Sequence, residues 1–80
     1  MRMDAIRMAI AGGDAQQLMR EAHTLKGALK VLGAAAAAGL ALHLENLGRD
    51  GDLSRAREAG AALERAMDRL NQELLASRRG

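Results

Sequence analysis

Asp14-Ala15-Gln16-Gln17-Leu18-Met19-Arg20-Glu21-Ala22-His23-Thr24-Leu25-Lys26-Gly27-Ala28-Leu29-Lys30-Val31-Leu32-Gly33 is the stretch of this 80-residue chain whose periodicity decides the fold. Placed at about 100° per residue, Leu18, Ala22, Leu25, Leu29 and Leu32 fall within about 40° of one direction, the pattern of a helix that buries one stripe and solvates the rest. Asp14 is suited to accept the first free backbone N–H groups, with Gln17 three residues on as in a capping box. Gly33 can take the left-handed conformation that closes a helix. The segment therefore predicts an amphipathic helix that runs to about Leu32.

Working outward, Gly12-Gly13-Asp14, the Gly33 region and Gly48-Arg49-Asp50-Gly51-Asp52 divide the sequence into four such segments. The first runs from Met3 to Ala11, with Met3, Ile6 and Ile10 on one side. The third runs from Ala35 to Leu47 and is expected to stop before Gly48. The fourth begins near Ser54 and ends around Ser77, carrying Ala56, Ala59, Leu63, Met67 (or Ala66), Leu70 and Leu74 at three- and four-residue spacing. Short connections make neighbours antiparallel. The expectation is an all-α fold, an up-down antiparallel four-helix bundle with a short first helix and three longer ones, forming one domain over residues 1–80. With no Phe, Tyr or Trp, its core must be built from Ala, Leu, Ile, Val and Met.

Composition narrows the function. The formal net charge is +2, and Arg78 and Arg79 alone supply as much positive charge as the whole excess. Elsewhere in the last segment Arg alternates with Asp and Glu, as on an ordinary solvated face, so no concentrated basic stripe marks a nucleic-acid surface. There is no Cys for disulfide or thiolate chemistry. The apolar run from Val31 to Leu42 is twelve residues with two Gly, too short to span a bilayer. A cytoplasmic domain that binds no nucleic acid and does not insert into membranes is the expectation.

His23 falls about 140° from the apolar stripe of its helix. Gln16, Met19, Lys26, Gly27 and Lys30 share that outer sector, so the imidazole stands on a polar face with two lysines one and two turns on. Gly in a helix interior costs about 1 kcal/mol relative to Ala. Gly27 is therefore there either for access to His23 or for close packing of a neighbouring helix. An anionic phosphoryl group on the imidazole would gain from the nearby ammonium groups, and a bulky donor could approach over the bare Gly.

The string Ala22-His23-Thr24-Leu25-Lys26-Gly27 resembles the HxLKG signature of the histidine phosphotransfer domain family, and Leu32-Gly33-Ala34 follows at the usual distance. Leu44-Glu45-Asn46-Leu47-Gly48-Arg49-Asp50-Gly51-Asp52 is similar to that family's Leu-Glu segment and Gly-rich turn, so the likeness runs from about Ile6 to the end. The resemblance implies that His23 is the phosphoacceptor, that Lys26 sits near the phosphoryl group, and that Gly27 gives the partner room; Lys30 is added from the helix wheel. The family often has a small hydroxyl residue where Ala28 stands here. The implied partners are response-regulator receiver domains, with a hybrid sensor kinase as a further candidate, docking over Gln16, Met19 and Arg20 beside His23. The implied chemistry is attack by imidazole nitrogen on an aspartyl phosphate, with Mg²⁺ supplied by the receiver and no cofactor or metal held by this chain. No ATP-binding Gly-rich loop is present, so the chain reads as a phosphoryl carrier without kinase activity of its own.

Other readings rest on particular residues. His43 lies about 60° from the Leu40, Leu44 and Leu47 stripe, which places it at the core boundary in a structural role. A metal site from His23, His43 and Glu45 would need two helices to converge on a further ligand. Glu45 itself reads as a solvating surface carboxylate, and no second group is apparent that would orient His23. The contrasting reading of the whole chain is a structural dimerisation module with no phosphotransfer role, in which the fourth helix pairs with a second copy. Its support is the short first helix, which would leave an apolar groove for a homodimer partner to fill.

Overall fold

The computed structural model describes residues 3–79, with side chains through residue 76. Four helices follow one another: α1 (Asp4–Ala11), α2 (Ala15–Val31), α3 (Ala35–Asp50) and α4 (Leu53–Arg79). Among the described residues there is no strand, and no helix is long and apolar enough to cross a membrane. The fold is the expected all-α four-helix bundle.

The helix ends follow from local chemistry. The Asp14 side chain accepts from the backbone N–H of Gln17 at 3.0 Å and fixes the start of α2. Gly33 closes that helix with φ +74°, a conformation that costs an L-residue but not Gly. Asp52 starts α4, accepting from the Ser54 hydroxyl at 2.7 Å and the Arg55 N–H at 3.3 Å. The end of α3 differs from the sequence expectation. The helix continues through Gly48 to Asp50 and stops at Gly51, whose φ is +72°. Gly48 is thus an interior helix residue, and its small size serves packing rather than termination.

The core is made of Leu and Ala with few large side chains. Ile6, Leu18, Leu29, Leu44 and Leu63 are the largest fully buried residues, and Ala9, Ala22, Ala41 and Ala56 fill the spaces between them. Small residues let the helices approach closely, which compensates in part for the missing aromatics. The most extensive packing joins α2 to α3, α3 packs on α4, and the short α1 bridges α2 and α4. A β-carbon on Gly60 of α4 would lie 3.0 Å from Cδ1 of Ile10, so the approach of α1 to α4 also depends on a small residue. An ion pair from Arg7 to Glu64 spans the same seam.

Two leucines expected in the core lie outside it. Leu32, at the α2 cap, and Leu74, on α4, are both exposed. Leu32 lies just past the last residue of α2, and for Leu74 the reason is length: 27 residues at 1.5 Å per residue make α4 about 40 Å long, against about 24 Å for α3. The molecule measures 43 Å in its longest direction, as α4 alone requires. Leu70 is the last α4 side chain packed on the core, and residues 71–76 are all exposed. His43 is exposed rather than at the core boundary. The residue two positions on, Glu45, is the one that turns inward.

Candidate functional site

The site begins with the contrast between His23 and Glu45. His23 is on the outer face of α2, its side chain two-thirds exposed, while the Glu45 side chain on α3 is only 7% exposed. A carboxylate buried to that extent needs partners, since an unpaired charge removed from water is strongly disfavoured. Glu45 has three. Lys26 Nζ lies 2.7 Å from Oε1, a close ion pair although not along a hydrogen-bonding direction. His23 Nδ1 lies 3.2 Å from Oε2, and Arg49 Nη2 donates to the same oxygen at 3.0 Å. The Lys26 ammonium, and after it the bond to His23, hold the Glu45 carboxyl below the usual carboxylate range, against the opposing effect of burial.

These contacts decide the tautomer of His23. A carboxylate kept ionised can only accept hydrogen bonds, so the ring nitrogen facing it must carry the proton. With Nδ1–H donating to Glu45, a neutral ring leaves its lone pair on Nε2. The arrangement can therefore hold an exposed imidazole with one nitrogen fixed and the other free to attack an electrophile. Positive charge that develops on the ring during such an attack would face the Glu45 carboxylate.

The expected site residues fall into two groups. Met19, Arg20, His23, Thr24, Glu45 and Arg49 line one groove between α2 and α3. Lys26 joins it from behind, its side chain only 15% exposed and its ammonium committed to Glu45. Gly27 is exposed, and a β-carbon there would have nothing within 4 Å, which removes the helix-packing explanation. Lys30 and Gln16 are exposed on the same helix but do not line the groove. Exposed His43 is not drawn in, and among the described residues no three His, Cys, Asp or Glu side chains gather as metal ligands would.

Glu45 and Arg49 were missed from the sequence, where Glu45 passed for a lone surface charge. A signal for it existed. Ala41, Leu44 and Gly48 form the inward face of α3, and Glu45 sits on the flank of that face, one turn from both Ala41 and Gly48. An antiparallel α2–α3 pair folded back at Gly33 then sets that flank across from the middle of α2.

No curated protein and no solved structure matches the chain. The family model of the Hpt domain matches residues 1–73. Members of this family are histidine phosphotransfer modules of phosphorelays, phosphocarriers that interact with the receiver domains of response regulators or hybrid kinases. The matched span takes in all of α1, α2 and α3 and most of α4, and the chain belongs to the Hpt domain family.

Proposed function

We propose that the chain accepts a phosphoryl group from the aspartyl phosphate of a receiver domain onto Nε2 of His23 and passes it to another receiver, without kinase activity of its own. The observation that carries this reading is the contact between His23 Nδ1 and Glu45 Oε2, which supports Nε2 as the nucleophile on an exposed ring. In the step, the Nε2 lone pair forms the N–P bond as the bond from phosphorus to the aspartyl oxygen breaks. The leaving aspartate carboxylate stays with the receiver, as would the Mg²⁺ that neutralises the transferring group. The Nδ1 proton remains in place, and the cationic ring that results is stabilised by Glu45. In the onward step a carboxylate oxygen of a second receiver's aspartate attacks phosphorus with its own lone pair, the N–P bond breaks, and its electron pair returns to Nε2, which restores the neutral ring.

Gly27, bare and exposed one turn beyond His23, favours close docking of a rigid partner. Met19 supplies apolar surface, while Arg20, Arg49 and Lys30 supply positive charge around it, a combination suited to a transient complex with an acidic receiver face. The compartment we propose is the cytoplasm, which holds the ATP from which phosphoryl groups enter such a relay.

The test is transfer from a phosphorylated receiver domain to the chain and to its His23→Gln variant, followed by acid-labile label and intact mass. Transfer to the first and none to the second is expected. Labelling of the variant would move the acceptor elsewhere, and no transfer to either from a panel of receivers would overturn the reading.

A further inference from the structure

Four of the six large apolar side chains exposed among the described residues, Val31, Leu32, Leu74 and Leu75, lie at one end of the bundle. Scattered exposed leucines need no explanation, but a cluster of them marks a surface that is covered in use. The cluster has a physical source. The core-facing stripe of α4 continues past Leu70 to Leu74, beyond the level at which α2 turns into α3, so among the described residues no element is there to meet it. An α4 overhang facing only water would be served by polar residues. Instead the sequence keeps Leu at 74 and 75.

Beside this overhang is a groove between the first turn of α3 and α4. Its floor is the alanine run Ala34 to Ala37, and Arg69, Leu70 and Glu73 of α4 form its wall. Alanines let another helix approach closely, and the groove presents a hole next to the Leu74 knob. Knob and hole cannot meet within one chain, because a straight helix cannot fold back on its own flank. They can meet between two chains. The polar residues agree: Arg69 and Glu73, one turn apart on the same wall, carry opposite charges. A two-fold axis across antiparallel overhangs would bring Arg69 of one copy toward Glu73 of the other, and the reverse, which is the self-complementarity an isologous interface requires.

We infer that this end of the bundle is a homodimer interface, in which the α4 overhang of each copy lies in the Ala34–Ala37 groove of the other. The α4 core residues Ala56, Ala59 and Leu63 have no part in it, since they are buried inside each bundle. His23 has none either: it is eight residues from Val31 along α2, about 12 Å at 1.5 Å per residue. The dimer therefore leaves the phosphotransfer face open and stands or falls independently of the proposed function.

The experiment is sedimentation equilibrium on the full chain from about 1 µM to about 1 mM, the range in which modest interfaces associate. A monomer–dimer equilibrium is expected. Leu74→Glu, at an exposed position that leaves helicity and folding intact by circular dichroism, should raise the dissociation constant at least roughly tenfold. Arg69→Glu and Glu73→Arg should each weaken the dimer, and the double variant R69E/E73R should restore it, which a non-specific apolar contact would not do. Phosphotransfer per chain should be unchanged in Leu74→Glu. A wild-type chain that stays monomeric throughout overturns the inference and leaves this end to another partner. So does a dimer indifferent to Leu74→Glu, or a double variant no tighter than the singles.

Discussion

A β-carbon on Gly48 would stand 2.7 Å from the backbone nitrogen of Met19 and 2.9 Å from the carbonyl oxygen of Ala15, so α3 and α2 cross there with their backbones in contact. The helices are antiparallel. One turn onward from Met19 is His23, and one turn back from Gly48 is Glu45. The crossing that Gly48 permits is therefore what sets the register of Glu45 against His23. Backbone cannot swing aside as a side-chain tip can, so Gly48→Ala should overpack the crossing and destabilise the domain by about 1–3 kcal/mol. Thermal unfolding gives the stability, and the ring resonances of His23 report whether the contact with Glu45 survives. A variant as stable as wild type with unchanged His23 resonances would show that the register is set elsewhere.

Gly27 has the same residue type with the opposite consequence. A β-carbon there meets nothing within 4 Å, so Gly27→Ala gains helix propensity at no packing cost and should stabilise the chain by about 0.5–1 kcal/mol. The same methyl group projects from the face on which a receiver would dock. Transfer should slow while the unfolding temperature rises, an opposition that a packing role cannot produce. Stopped-flow transfer kinetics alongside thermal unfolding would show it, and faster or unchanged transfer would remove Gly27 from the docking face.

The contrast between the two glycines shows what was legible in the sequence. Local signals were read correctly: Asp14 caps α2, Gly33 closes it, and Leu18, Ala22, Leu25 and Leu29 face inward. Such features depend on residues within a turn of one another. Gly48 looks like a stop in the sequence because a glycine that terminates a helix and one that admits a neighbouring helix are alike until the neighbour is placed. Glu45 looks like a surface charge for a related reason. Its burial is a property of the α2–α3 register, and its partners Lys26 and His23 belong to another helix. Leu74 has the periodicity of a core residue, and only the unequal lengths of α3 and α4 leave it without a neighbour.

Among the described residues the carboxyls of Glu45 and Asp52 are held below their ordinary range, Glu45 chiefly by the Lys26 ammonium and Asp52 chiefly by the Ser54 hydroxyl, with burial opposing both. A depressed folded value means that each contributes stability above the unfolded carboxyl range and loses it as the pH falls through the folded value. The unfolding temperature should therefore be flat above about pH 5 and drop below it. Glu45→Gln should make that acid limb shallower, because one of the two groups no longer titrates. An acid limb of the same steepness in the variant would assign the pH dependence to other groups.

The two cations on Glu45 should differ in what they control. Lys26 is largely buried and is the first cause of the lowered Glu45 value, whereas Arg49 is more than half exposed and shares Oε2 with His23. Solvent screens the exposed pair far more than the buried one. Lys26→Met should accordingly move the Glu45 titration upward and weaken its hold on Nδ1 of His23. Transfer through His23 should then slow by roughly ten- to hundredfold, the range expected when a hydrogen bond to a charged group is lost. Arg49→Ala should leave the Glu45 titration close to wild type, and its effect should fall mainly on receiver affinity, growing at low salt. Carbon-detected titration of the Glu45 carboxyl in both variants, paired with transfer rates at two ionic strengths, separates the roles. Equal shifts in the two variants would mean that burial does not distinguish the cations, and the tautomer of His23 would then depend on both.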